Sequence, residues 1–293
     1  MDPKPEAVSK ITAPLILDRK LRGERIVCLT ACDFPTARLV DQANIDILLV
    51  GDSLAQVALG YDSTVPVTLD EMLHHLRAVR RAVSRALLVV DLPYGTYHGS
   101  EEEAVHAGIR SLKDGAEAVK IEGGRKRAAL IRRIIDAEIP VMGHIGLTPQ
   151  SVHSLGGYRV QGKTIESASE LIADAQAVED AGAFAIVLEG IPRELAAVIT
   201  ARLRIPTIGI GAGPDCDGQI LVLYDLLGLS TQPPAKFVRR YAQVAQTMSD
   251  AIARYRDDVL AGAYPSDGES YHQSAGLREQ QEKWAAVRSL KGE

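Results

Sequence analysis

Residues 87–95 read LLVVDLPYG, in which an aliphatic run leads directly into Asp91. An unbroken run of this kind predicts a strand buried on both faces, as the strands of parallel sheets are. A carboxylate at the end of such a strand is costly to bury unless another group pairs with it. Taken alone, the strand favours a helix N-cap or a structural ion pair for Asp91, so the rest of the chain has to decide.

The same pattern recurs along the chain, because short aliphatic segments alternate with segments of helical length. Capping boxes at Thr68–Glu71 and Ser100–Glu103 begin two of the helices, and a long helix is predicted from Ile165 to Ala181. An eighth strand in QILVLYDLLGL, residues 219–229, is less clear. The clear strand segments are RIVCLTACD (25–33), DILLVGDS (46–53), ALLVVDLP (86–93), EAVKIEGG (117–124), PVMGHIGLTP (140–149), AFAIVLEGIP (183–192) and IPTIGIGAGP (205–214).

Seven or eight β/α units within about 230 residues predict an α/β fold, a (β/α)8 TIM barrel with a C-terminal helical extension. A doubly wound open sheet is the alternative, but no GxGxxG follows the first strand. Nothing marks a boundary, so residues 1–293 are predicted to form a single barrel domain. The extension, from about residue 273 to 293, is predicted to be a disordered, frayed tail or a docking helix with an apolar stripe of Leu277, Trp284, Val287 and Leu290.

Composition and charge limit the partners of the chain. Its 293 residues are 46% hydrophobic and carry a formal net charge of −5, so no general attraction to nucleic acid or to an anionic membrane is expected. The N-terminal segment lacks the apolar stretch of a signal peptide, and no apolar run is long enough to cross a bilayer, which predicts a cytoplasmic protein. The three cysteines (Cys28, Cys32 and Cys216) favour small core positions over a disulfide scaffold or a zinc site.

Polar residues stand at the C-terminal ends of most predicted strands, and in a barrel these ends converge on one mouth. Acids brought together raise each other's pKa values, so the set requires a cation. Asp33 ends the first strand, but a structural ion pair explains it equally well, and we leave it out of the site. The GIGAG segment, residues 209–213, fits either a phosphate site or a tight turn. The residues assigned to the mouth are Asp52, Ser53, Asp91, Lys120, Glu122, His144 and Glu189.

The chemistry of these side chains predicts their roles. Asp52, Asp91 and Glu122 offer only oxygen ligands, which suit a hard divalent ion such as Mg²⁺. Lys120 is two residues from Glu122 and shares its face of the strand, so it either balances the acids or holds a substrate carboxylate. Glu189 lies on another strand, away from the proposed ligands, and is the candidate general base.

His144 leaves two interpretations open, a core histidine or a contact to a polar substrate. The glycine-rich loop LTPQSVHSLGGYRVQGKT, residues 147–164, is predicted to close over the mouth.

These segments closely resemble the ketopantoate hydroxymethyltransferase family. The resemblance runs in order from about Thr30 to His272, and several of the motifs are long and unusual. Cys32 departs from the family pattern, which often has Tyr there, but this removes no proposed ligand. The matching motifs are LLVGDS, GYDSTVPVT, VVDLP, VKIEGG, GHIGLTPQSV, GGYRVQG, VLEGIP, IPTIGIGAG and DGQILVLYDLLGL.

The resemblance implies a (β/α)8 barrel that assembles as a homo-oligomer, commonly a decamer. It also implies a Mg²⁺-dependent transfer of a hydroxymethyl group from 5,10-methylenetetrahydrofolate to 3-methyl-2-oxobutanoate, on the way to pantothenate. The roles carried over by motif are metal ligand for Asp52, Asp91 and Glu122, substrate contact for Asp52, Ser53, Asp91 and Lys120, and proton acceptor for Glu189.

Two other functions stay open from the sequence. A metal-dependent 2-oxo acid lyase or mutase of the phosphoenolpyruvate mutase and isocitrate lyase type also places acids and Mg²⁺ at a barrel mouth. Such an enzyme needs a different nucleophile or a phosphonate pocket. A metabolite sensor would keep the pocket without turnover, although a candidate base beside a candidate metal site argues against that function.

Overall fold

The structure is a computed structural model that describes residues 9–230 and 233–289. Its parallel strands close into a barrel in chain order, with β8 pairing back to β1. The predicted (β/α)8 barrel is therefore confirmed, and the open doubly wound sheet is wrong. The strands are β1 (Ile26–Thr30), β2 (Ile47–Val50), β3 (Leu87–Asp91), β4 (Ala118–Glu122), β5 (Val141–Gly146), β6 (Ala185–Glu189), β7 (Thr207–Ile210) and β8 (Gly218–Leu221).

Helices follow the strands, and several begin where the sequence predicts. Both predicted capping boxes are present, with Thr68 and Ser100 as N-caps. Asp33 is the N-cap of the helix after β1, where its side chain accepts the Thr36 N–H at 2.8 Å, so it is structural. The α-helices of the described residues are α1 (Ala13–Leu21), α2 (Phe34–Gln42), α3 (Leu54–Val57), α4 (Leu69–Arg80), α5 (Glu101–Lys113), α6 (Ala128–Ile135), α7 (Val152–Leu155), α8 (Ile165–Asp180), α9 (Arg193–Arg202), α10 (Leu223–Leu227), α11 (Val244–Leu260) and α12 (Ala275–Ser289).

Side chains of each strand alternate between two apolar layers, one inside the barrel and one between the strands and the helices. In β4, Ala118 belongs to the inner cluster, whereas Val119 and Ile121 belong to the outer one. Lys120 and Glu122 continue the inner row of Ala118. The strand period thus carries two charged side chains into the barrel, as the sequence predicts.

Neighbouring strands repeat this alternation, so their last inward positions form one layer at the C-terminal end of the barrel. The register aligns Asp91 with Lys120 and Glu122 with His144 across adjacent strands. The inward rows that end in this layer are Leu87, Val89 and Asp91 in β3, Met142 and His144 in β5, and Ala185, Val187 and Glu189 in β6.

The chain divides into two compact units, residues 1–242 and 243–293, of which the first contains the barrel. This division differs from the predicted single domain with an extension from about residue 273. Within the second unit, α12 covers most of the segment predicted as a frayed tail or docking helix, while Leu290 and the side chain of Val287 lie outside the described residues. In the part of the chain that is described, no helix combines the length and apolar character needed to cross a membrane.

Candidate active site

A cavity of about 180 Å³ at the C-terminal ends of the strands is lined by every residue that the sequence assigns to the mouth. Its wall also contains side chains that the sequence did not single out, among them Gln56, Thr64, Tyr158 and Phe237. Tyr158 comes from the glycine-rich loop 147–164. A larger cavity of about 850 Å³ shares only Glu122 with the predicted set, so the smaller cavity is the candidate site.

Lys120 is a charged partner of the buried Asp91 carboxylate. Both side chains are buried, and the Lys120 Nζ lies 2.8 Å from Asp91 Oδ1. The other oxygen of Asp91 accepts the backbone N–H of Asp52 at 2.9 Å. Burial lowers the pKa of Lys120, but Asp91, Glu122 and Asp52 outweigh that effect and raise it, so Lys120 stays charged.

Asp52 shows that one lysine is not enough for this cluster. Burial, followed by the charges of Asp91 and Glu122, raises the pKa of Asp52 well above its usual value. Lys120 and a hydrogen bond from Gln150 act in the opposite direction without reversing the shift. The mouth therefore carries more buried negative charge than its own side chains balance.

His144 stands between the proposed metal ligands and the proposed base. Its Nδ1 lies 3.4 Å from Glu122 Oε1, and its Nε2 lies 3.3 Å from Glu189 Oε2. Burial and Lys120 lower the pKa of His144, but the two carboxylates outweigh them and raise it to about 9. Burial raises the pKa of Glu122, whereas His144 and Lys120 bring it below its usual value. His144 is thus part of the acid cluster and not an isolated core histidine.

The donor set fits a hard cation, although it is not arranged around one. Asp91 Oδ1 and Glu122 Oε1 are buried oxygens that face cationic side chains, Lys120 Nζ at 2.8 Å and His144 Nδ1 at 3.4 Å, and carboxylate oxygens of this kind are the ligands that a hard cation prefers. In the same residues no three His, Cys, Asp or Glu side chains converge closely enough to hold a metal ion. Asp52 Oδ2 instead accepts a hydrogen bond from Gln150 at 2.8 Å. A metal ion bound here would therefore require the carboxylates to draw closer together.

Gln150 is the missed residue that contacts two of the predicted metal ligands. It is 3% exposed and hydrogen-bonds both Asp52 and Glu122. A neutral amide in a loop produces no strand period and no charge pattern, so neither signal points to it. Its position in the loop predicted to close over the mouth, inside the GHIGLTPQSV motif, was the available indication.

Gly146, at the end of β5, allows the backbone that carries Glu189 to come close. A Cβ atom at Gly146 would lie 2.2 Å from the carbonyl oxygen of Glu189, and its φ of 96° is in the region that favours glycine. The N–H of Leu147 donates to that same oxygen at 2.8 Å. Gly211 and Gly213 also have positive φ, which supports the tight-turn interpretation of GIGAG.

Comparisons with known proteins identify the family. The sequence model described as Ketopantoate hydroxymethyltransferase matches residues 10–267. The 3-methyl-2-oxobutanoate hydroxymethyltransferase of Koribacter versatilis is 62% identical over 265 residues, which cover 90% of each chain. The enzyme of that name from Pelobacter propionicus is 54% identical over 264 residues, which cover 90% of this chain and 98% of the relative.

Solved structures share the fold at much lower identity. Phosphonopyruvate hydrolase in complex with oxalate and Mg²⁺ has a TM-score of 0.58 at 16% identity, covering 95% of this chain and 99% of that one. For 2,3-dimethylmalate lyase the TM-score is 0.53 at 18% identity, with 96% and 99% covered. By sequence identity and coverage, the chain belongs to the ketopantoate hydroxymethyltransferase family.

Proposed function

We propose that the chain transfers a hydroxymethyl group from 5,10-methylenetetrahydrofolate to 3-methyl-2-oxobutanoate, giving 2-dehydropantoate for pantothenate biosynthesis. The observation that carries the proposal is the single buried cavity that joins a candidate base, a charged lysine and three carboxylates. The relative that is 62% identical to the chain is named for the same reaction. An α C–H beside a ketone is a weak acid, so the chemistry needs a base together with stabilisation of the enolate.

The carboxylates of Asp52, Asp91 and Glu122 are the proposed holders of a divalent cation such as Mg²⁺. When bound, this cation would supply Lewis-acid stabilisation of the enolate oxygen. Lys120 then holds the carboxylate of the keto acid, because it is buried and its raised pKa keeps it charged. Ser53 lines the same cavity beside Asp52 and is proposed to donate its hydroxyl to the substrate.

Glu189 is the proposed base that removes the C3 proton of the keto acid. Its side chain is 16% exposed, so it is largely shielded from water yet open to the cavity. His144 lies 3.3 Å from Glu189 Oε2 and limits how that carboxylate rotates. His144 also lines the cavity, and we propose that it contacts the substrate there.

The folate co-substrate needs more room than 180 Å³ provides. The neighbouring cavity of about 850 Å³ meets the candidate site at Glu122. It is lined by Tyr94, whose ring suits stacking, and by Arg127, whose charge suits a glutamate tail. We propose this cavity as the space for the folate.

A homo-oligomer, decameric as the family resemblance implies, is the proposed assembly. Along α11, Met248, Ile252, Tyr255 and Val259 are 44–64% exposed and lie at helical spacing on one side. A second copy of the chain would cover this apolar side, so Ile252→Glu is expected to lower the mass measured by sedimentation. A cytoplasmic location is proposed because all three cysteines are free and buried.

The experiment that tests the function is deuterium exchange at C3 of 3-methyl-2-oxobutanoate in D₂O, followed by NMR. We expect exchange without folate when Mg²⁺ is present, and hydroxymethyl transfer only when methylenetetrahydrofolate is added. Exhaustive chelation should abolish both reactions, and Mg²⁺ should restore them. Full activity after chelation would contradict the metal role. Binding without exchange would indicate a sensor, and folate-independent release of pyruvate from a phosphonate or 2-oxo acid substrate would indicate a lyase.

A further inference from the structure

We propose that Gln150 is a positioning residue that sets the rotation of two metal-binding carboxylates, those of Asp52 and Glu122. The inference rests on the proposed function for the identity of the metal site. It adds a residue that lines the larger cavity and not the mouth cavity, and that acts on the metal site through the two carboxylates.

The side-chain amide of Gln150 is held in one orientation. Its Nε2 donates to Asp52 Oδ2 at 2.8 Å and to the Leu92 carbonyl at 3.0 Å. Its Oε1 accepts the hydroxyl proton of Tyr97 at 2.6 Å. A flipped amide would turn its oxygen towards two acceptors, so only this orientation satisfies all three contacts.

The backbone of the same residue holds the second carboxylate. The Gln150 N–H donates to Glu122 Oε2 at 3.0 Å. Gln150 therefore occupies one oxygen of each carboxylate, Asp52 Oδ2 and Glu122 Oε2. The remaining oxygen of Glu122, Oε1, is buried and faces His144 Nδ1 at 3.4 Å. A carboxylate fixed by one oxygen presents the other in a defined direction, which is how residues behind a metal ligand set its geometry.

Tyr97 holds Gln150 from the opposite side. It is 2% exposed, and its hydroxyl oxygen also accepts the Glu122 N–H at 3.3 Å. The Arg127 guanidinium lies 5.3 Å from the centre of the Tyr97 ring, which fixes the ring further. The hydrogen-bond chain thus joins Glu122, at the end of β4, to the segments that follow β2, β3 and β5, and Gln150 is the member bonded to both carboxylates.

The chemistry of an amide suits this position. A lysine or arginine here would add a positive charge that competes with a metal cation, whereas a glutamate would repel Asp52 and Glu122. Glutamine donates to Asp52 without adding charge. It can therefore orient the ligands while leaving the excess negative charge available for a cation.

The test is the dissociation constant of Mn²⁺ for the full-length protein, measured by electron paramagnetic resonance without keto acid or folate. We expect Gln150→Glu to weaken binding by roughly 10–100-fold, the usual effect of losing a residue that supports a metal ligand. Gln150→Met removes the amide without adding charge and should also weaken binding, so the test survives if the glutamate variant does not fold. Gln246→Glu, the same change on exposed helix α11, is the control and should bind Mn²⁺ normally.

Each outcome either supports or overturns the positioning role of Gln150. Weaker Mn²⁺ binding with an unchanged thermal unfolding midpoint supports a positioning role, because a purely structural role would lower the midpoint and leave the affinity of the folded protein unchanged. Wild-type affinity in folded Gln150→Glu or Gln150→Met overturns this inference alone. A wild-type protein that binds no Mn²⁺ overturns the proposed metal site, and this inference with it.

Discussion

The two ends of the barrel both bury acidic side chains, and they treat them in opposite ways. At the N-terminal end the acids stand just before the strands and have matched partners. Asp46, which is 3% exposed, lies between Arg19 at 2.9 Å and Arg85 at 3.2 Å and also accepts the Val27 N–H. Glu117, which is half-buried, pairs with Lys10 at 2.6 Å.

At the C-terminal end the acids outnumber their partners. Lys120 is the only lysine or arginine among the described residues that line the mouth cavity, where it faces Asp52, Asp91, Glu122 and Glu189. The comparison indicates that the two ends of one barrel differ in the role of their buried charges. Matched charges at one end stabilise the fold, and the excess negative charge at the other end suits the proposed cation and the proposed base.

Glu189→Gln should give the largest effect at the mouth. This substitution keeps the size of the side chain and removes its basicity, so C3 deuterium exchange should fall by roughly 10²–10⁴-fold, the usual worth of a positioned base. Binding of Mg²⁺ and of keto acid should persist. Glu117→Gln, at the opposite end, is the control and should leave exchange unchanged. Exchange at the wild-type rate in Glu189→Gln would place the base elsewhere, with His144 as the next residue to change.

Asp46→Ala should give the largest effect at the opposite end. It leaves Arg19 and Arg85 as largely buried cations without their carboxylate, and breaking a buried pair in this way costs about 3–5 kcal/mol in the free energy of unfolding. Urea denaturation measures that loss. Deuterium exchange, assayed well below the unfolding temperature, should be unchanged. A large fall in deuterium exchange in fully folded Asp46→Ala would contradict the idea that the two ends of the barrel have separate roles.

Asp41→Asn should have a smaller effect that depends on pH. Burial raises the pKa of Asp41, but the N–H groups of Ala86 and Ser84, the Ser84 hydroxyl and the N–H of Arg85 outweigh it and lower the pKa below its usual value. A lowered carboxyl pKa stabilises the fold above about pH 4, and the benefit disappears as the pH falls through the folded-state pKa. At pH 7 the variant should lose roughly 1.5–3 kcal/mol, and the deficit should shrink towards pH 3. Denaturation curves at both pH values measure it.

Asp52→Asn should give the smallest effect on stability, and one of opposite sign. Burial and the charges of Asp91 and Glu122 raise the pKa of Asp52, so its surroundings in the metal-free fold oppose its ionised form. Removing that charge should stabilise the metal-free protein by about 0.5–2 kcal/mol while weakening metal binding. Thermal unfolding with a chelator present gives the comparison. A destabilised variant would show that Asp52 is matched as well as Asp46 is.

Much of this arrangement can be predicted from the sequence, because strand period is a local property. The two-residue spacing of Lys120 and Glu122 places both inside the barrel, and all the residues assigned to the mouth line one cavity. The pairing of Asp91 with Lys120 depends on the register between β3 and β4, which no local pattern gives. Gln150 cannot be predicted for a similar reason, because its hydrogen-bond partners come from distant segments of the chain. The metal ion and the folate stay predictions.

Gly146 carries no functional group, yet the backbone beside the proposed base depends on it. A single added methyl group would meet the carbonyl oxygen of Glu189 at 2.2 Å, so the strand end bearing the proposed base would have to shift. In a screen of random variants, Gly146→Ala would therefore be scored as an active-site lesion although no reacting atom is altered. The close backbone contact alone therefore disfavours any other residue at this position, and a search limited to charged residues would overlook it.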